Sequence, residues 1–348
     1  PNGNTIAAGS GDGSVTLWDT HTESQLFQTP KSDMPSKIIP VEHGDSDFFA
    51  FSPDSQRIAI SITTRNKHWV LEWDIASQKV LRRFPHDDRI MSLAYSPDGR
   101  HLATGTREYQ PGGGTIRFRE LATQQVVGPT IHDIGPVESM AYSADGQLLA
   151  TESSWAGAEG FRVWDVTTGE RVSTLIGHSE PLGGNQTLVF SPDGRILATA
   201  GSDRKVILWD SESWRPVMTL FGHVGAVSDL AFSPDGTRLA SASRDGMARL
   251  WSLETGQVVG SFAGTCVDFA PNGATLAVGG GSGIPFGKSL ASRSVRLYRT
   301  PTLAEIDAAE EMERQRRTWI DPGVVNQWLF LGPLDANTGE SLTPERFA

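Results

Sequence analysis

Two sets of side chains in this 348-residue chain combine the types used in acyl transfer: a histidine, an aspartate and a hydroxyl. His178, Thr199 and Asp203 precede Trp209, and His223, Ser241 and Asp245 precede Trp251. A hydrolase would need the hydroxyl exposed and an oxyanion hole beside it. The sequence signals neither. Each member also sits at a fixed place in a repeat, and two adjacent repeats carry the same set. The sets therefore read as buried polar networks, not catalytic centres. No catalytic residue is assigned.

The segment GSGIPFGKS at 281–289 ends like a phosphate loop. Ser282, however, stands where that pattern requires its first glycine, and residues 295–298 read as a strand. A phosphate loop draws its donors from a helix N-terminus, so the segment reads as a long loop without nucleotide. His21, His43, His68, His86, His101 and His132 are scattered without metal-ligand spacing. No metal and no other cofactor is expected. Asn185-Gln186-Thr187 matches a glycosylation sequon but stands alone.

The elements that must position these groups are legible in 188–210, LVFSPDGRILATAGSDRKVILWD. Three short apolar runs are broken at Pro192-Asp193-Gly194 and Gly201-Ser202-Asp203. Such runs read as consecutive antiparallel strands. A sheet this small cannot bury both faces alone. Copies supply the cover. The turn recurs at Pro1-Asn2-Gly3, Pro53-Asp54-Ser55, Pro97-Asp98-Gly99, Ala144-Asp145-Gly146, Pro234-Asp235-Gly236 and Pro271-Asn272-Gly273. The seven turns are spaced by 52, 44, 47, 48, 42 and 37 residues. The third strand ends at Trp18-Asp19, Trp73-Asp74, Phe118-Arg119, Trp164-Asp165, Trp209-Asp210, Trp251-Ser252 and Tyr298-Arg299.

A period of this length, with Gly177-His178 before a unit and Trp209-Asp210 at its end, resembles the WD40 repeat. The resemblance implies an all-β fold, a seven-bladed β-propeller over 1–300. Each repeat would run strand a, the Pro-Asp-Gly turn, strand b, strand c and strand d. It also implies that His178, Thr199, Asp203 and Trp209 form a hydrogen-bonded chain, as do His223, Ser241, Asp245 and Trp251. His86 and His132 sit where the Gly-His histidine belongs in the weaker third and fourth repeats. Because Pro1-Asn2-Gly3 is already an a–b turn, the inner strand of the first blade is expected upstream, in a longer protein.

Beyond the repeats, Thr302 and Glu305 form a capping box ahead of helix formers that run to Arg317. Acids come first and arginines last, which suits the helix dipole. A surface helix is expected over 301–319, and 320–348 as a strand segment opening a C-terminal extension or a further domain. This tail is similar to the continuation of propellers in bacterial multidomain, kinase-linked proteins, although no kinase motif occurs here. Val324 to Leu331 is an alternative filler for the first blade.

The net charge is −11, which works against nucleic acid as a partner. No run of about 18 apolar residues is present to span a membrane. Cys266 is the single cysteine, which fits a reducing compartment, and a cytoplasmic location is expected. The expected function is a non-catalytic interaction platform, the sensing or docking module of a larger bacterial signalling protein. The alternative is a propeller that binds a small molecule or glycan at its central channel. The resemblance places protein or peptide partners on the face formed by the d–a and b–c loops. Candidate contacts there are Arg89, Met91, Tyr109, Trp155 and Arg244.

Overall fold

The computed structural model describes residues 3–9, 15–20, 22, 24–28, 49–63, 67–108, 113–153, 160–179, 187–280 and 295–300. The expected helix at 301–319, the tail at 320–348, the glycine-rich segment 281–289, Tyr109 and Trp155 lie outside them.

The described residues form 26 strands in seven antiparallel sheets, one for each repeat. Blade five shows the pattern: Thr187–Phe190 (strand a), Ile196–Ala200 (b), Val206–Asp210 (c) and Pro216–Leu220 (d), each paired with the next. The local chemistry explains why the chain turns back between a and b. Ser191 Oγ donates to Asp193 Oδ1 at 2.6 Å and accepts from the Ile196 amide at 2.9 Å, which closes the turn. Gly194 completes it at φ 73°, a left-handed conformation without steric cost only for glycine. The same hydroxyl–carboxylate clasp recurs at Ser96–Asp98, Ser143–Asp145 and Ser233–Asp235.

Sheets pack face to face around a ring. The first strands of blades two to seven, starting with Phe49–Phe51 and ending with Cys266–Phe269, neighbour one another in order. Apolar clusters bridge successive blades. Ala198, Val206 and Leu208 of blade five meet Val227, Leu230 and Phe232 of blade six. Val15 and Leu17 of blade one meet Ile58, Ile60 and Trp73 of blade two. The ring meets itself between blades seven and one, where a Cβ on Gly3 would lie 2.7 Å from Pro271 Cδ. The architecture is the seven-bladed all-β propeller that the resemblance implies.

The register corrects one reading. In blades four, five and six the tryptophan opposes the leucine at the start of strand b: Trp164 with Leu149, Trp209 with Leu197, Trp251 with Leu239. In blade three Leu102 opposes Arg119, and Phe118 opposes Ala103. The third repeat therefore ends in Arg119-Glu120, not Phe118-Arg119. Phe118 is an aromatic residue one position ahead of the place the tryptophan takes in the regular blades.

The outermost pairing, c with d, has a register shift in blades one to six. In five of these blades one extra residue stands on strand d: Leu26, Leu81, Val172, Val217 and Val259. Leu81, Val172 and Val217 are exposed at its surface.

Candidate interaction face

Strand a of each blade arrives by a segment from strand d of the blade before it, and that segment carries the histidine in blades five and six. His178 Nδ1 lies 2.9 Å from Asp203 Oδ1, and its Nε2 lies 2.9 Å from Thr199 Oγ1. Trp209 Nε1 donates to the same hydroxyl at 2.7 Å. One arrangement of protons satisfies all four groups. The indole donates to Thr199, Thr199 donates to Nε2, and Nδ1 donates to the carboxylate. Blade six repeats this with His223, Asp245 at 3.0 Å, Ser241 at 2.8 Å and Trp251 at 2.8 Å. Burial opposes the charge on Asp203, yet hydrogen bonds from His178 and from the Ser179 and Lys205 amides outweigh it and hold its pKa below the ordinary range. The same balance takes Asp245 down to about 2. Burial, then Arg249, outweighs Asp245 and lowers His223.

Thr199 and Ser241 are fully buried, and an indole occupies each hydroxyl. Neither oxygen can reach a carbonyl, so the triad-like composition performs no acyl transfer here. These contacts tie the d–a segment of one blade to the b–c turn of the next. That linkage is what the networks accomplish.

The weaker blades solve the same problem differently. A Cβ on Gly177 would lie 2.8 Å from the Trp209 ring, so the indole leaves room for no side chain there. By strand register His86 occupies the matching place before blade three, where Arg119 replaces the tryptophan. His86 is buried, its Nε2 has no partner among the described residues, and its pKa is lowered to about 4 by burial and then by Arg119 and Arg117. Before blade four the inward residue is Asp133, while His132 is exposed; the alternation puts the expected histidine on the outer side. Asp133 Oδ1 accepts from Arg162 Nη1 at 2.9 Å, and Thr151 accepts from Trp164 Nε1 at 2.9 Å.

The d–a segments and b–c turns share one face, because backbone bonds join them. Val227 N donates to Gly201 O, and Arg244 N donates to Ala226 O. Arg244 is exposed on that face, in the b–c turn of blade six. Arg89 is half-buried at the start of strand a of blade three. Met91 is buried, 3 % exposed, and offers no side chain to a partner. It is the extra residue of a bulge, with Ile90 opposite Thr106 and Ser92 opposite Gly105, which turns it inward.

Sequence reading missed the residues that most define this face. Ile134, Ile176, Phe221 and Val224 are 62 %, 70 %, 68 % and 76 % exposed, all on d–a segments entering blades four, five and six. Strict alternation holds the signal: Leu175 and Leu220 point in, so Ile176 and Phe221 must point out. Among the described residues no three His, Cys, Asp or Glu side chains converge on a common point.

A family profile described as WD domain, G-beta repeat, matches residues 1–19, 78–118, 169–210 and 214–252. These stretches include all four strands of blade five and the first three of blade six. The chain is 35% identical over 137 residues to an uncharacterised WD repeat-containing protein of Synechocystis, covering 39% of this chain and 36% of that one. It is 34% identical over 211 residues to pre-mRNA-processing factor 19 of Oryza sativa, covering 59% and 36%. It is 31% identical over 219 residues to the anaphase-promoting complex subunit cdc20 of Dictyostelium discoideum, covering 61% and 41%. The chain spans less than half the length of these curated relatives.

Proposed function

The chain is a WD40-repeat β-propeller, and from that premise we propose that it is a non-catalytic platform on which protein or peptide partners dock. The observation that carries this reading is the run of large apolar side chains, Ile134, Ile176, Phe221 and Val224, on one face of three consecutive blades. A solvated loop gains nothing by showing water four such residues, whereas an interface buries them. Two relatives named for a processing factor and for a subunit of a complex support the same general role.

The finer reading is a docking or sensing module within a larger bacterial signalling protein, working in the cytoplasm. A matched relative from a bacterium supports the bacterial setting, and a single cysteine the cytoplasm.

Face-resolved crosslinking tests the platform. Whole chain is incubated with extract of its own cells, crosslinked, and compared with Val224→Glu and with Gln147→Glu on the opposite face. Partners should be lost from the first and kept by the second. Equal capture by all three proteins would overturn the reading.

A further inference from the structure

Which partner chemistry suits this face follows from where its charges go. In blades five and six the acids of the b–c turns are turned inward, Asp203 to His178 and Asp245 to His223. Two of the cations are also held: Lys205 Nζ lies 3.2 Å from Ser179 Oγ, and Arg249 Nη1 lies 3.1 Å from Asp245 Oδ2. Arg204 and Arg244 remain. Both are exposed, and among the described residues no acid pairs with either. The segment carrying Phe221 and Val224 runs between them. Its far end is bonded to Gly201 on one side, and Ala226 is bonded to Arg244 on the other. Along the arc the order is Ile176, Arg204, Phe221 with Val224, then Arg244: apolar, cationic, apolar, cationic. Against a net charge of −11, the described residues thus present two cations here that no described acid pairs.

Backbone strain points to the same place. Arg204 has φ 67°, while Gly246, at the matching position of blade six, has φ 84°. Blade six uses glycine for the left-handed turn; blade five keeps an arginine in a conformation that disfavours it.

We propose that the arc across blades five and six binds an acidic segment of a partner protein whose carboxylates alternate with bulky apolar side chains. The inference rests on the docking reading above and adds the partner's chemistry. Carboxylates meet Arg204 and Arg244, and apolar side chains cover Ile176, Phe221 and Val224.

Three pools of short synthetic peptides test it by fluorescence anisotropy against the whole chain. All carry Leu, Ile or Phe at alternate positions. Between these stand Asp or Glu in one pool, Lys or Arg in the second, Ser or Gly in the third. The acidic pool should bind at least ten-fold tighter than the others, and should weaken as salt shortens the screening length from about 30 Å to about 8 Å. Arg204→Gly and Arg244→Ser should each lose roughly ten-fold, and Phe221→Ser as much. Arg204→Gly should melt no lower than the wild type, because it places glycine at a positive φ; its loss of binding is then not a loss of fold. Acidic peptides that bind while ignoring both arginines, or preference for the basic or neutral pool, would overturn this inference and leave the platform standing. Binding by no pool would remove the platform reading with it.

Discussion

Blades five and six and blades three and four stand side by side in one ring, yet they bury different polar groups at the same joint. The regular pair uses a relay, indole to hydroxyl to imidazole to an ionised carboxylate, to which blade six adds Arg249 beside Asp245. Blade four uses a full ion pair, Asp133 with Arg162, 1 % and 2 % exposed on their side chains. Before blade three, His86 has a nitrogen without a partner among the described residues. The fold thus requires that the d–a segment be anchored, but not any one chemistry for the anchor. What differs is how each joint responds to perturbation.

The largest contrast is expected from truncating the same register position in two blades. Trp209→Ala should lose about 4 kcal/mol, since it empties a site whose side chain is 1 % exposed. Arg119→Ala should lose only about 1 kcal/mol, the worth of a cation stacked 5.0 Å from the centre of the Phe84 ring. Urea unfolding of the two variants side by side decides this; similar losses would erase the distinction. Next, Arg162→Leu should destabilise by about 3 kcal/mol because Asp133 stays buried without its cation. Adding Asp133→Leu should recover most of that. A double variant no better than the single would mean the pair is incidental.

Acid should separate the blades as well. His86 is neutral in the fold, with a pKa near 4 against an ordinary 6.5. Between those values the unfolded chain binds a proton that the folded one refuses. Stability supported by His86 is therefore full above pH 6.5 and lost as pH falls toward 4, by about 3 kcal/mol in all. Melting curves of wild type and His86→Leu across that range should diverge in slope; parallel curves would show that His86 protonates freely in the fold. A smaller effect than that of the histidine is expected at Thr199→Val, about 1–2 kcal/mol, because Trp209 Nε1 and His178 Nε2 lose their common partner. Calorimetry with no change in Tm would show that water replaces the hydroxyl.

How much of this was legible in the chain differs by residue. The seven repeats were legible in their turns, because the third turn position has a positive φ, which favours glycine and is filled by glycine in six of the seven. The two regular networks were legible through resemblance, and each bond stands where it implied. Elsewhere the reading followed residue identity where alternation was the better guide. By residue type Phe118 is the strand's closing aromatic, but register puts Arg119 there. His132 was expected in the place of the Gly-His histidine, yet it faces water while its neighbour Asp133 faces the core. Met91 was expected outside because no bulge can be read from a run of apolar residues. Arg204 escaped notice because nothing in its identity betrays its backbone angle.

The shifted pairing at the perimeter has one more consequence. A propeller's outermost strands expose a row of unpaired amides and carbonyls, which another chain could extend. An additional residue on strand d interrupts that row in each of five blades and twists it out of plane. Neighbouring molecules cannot zip together edge to edge across such a break, so in a crowded cell the wheel is steered toward contacts on its flat side rather than along its circumference.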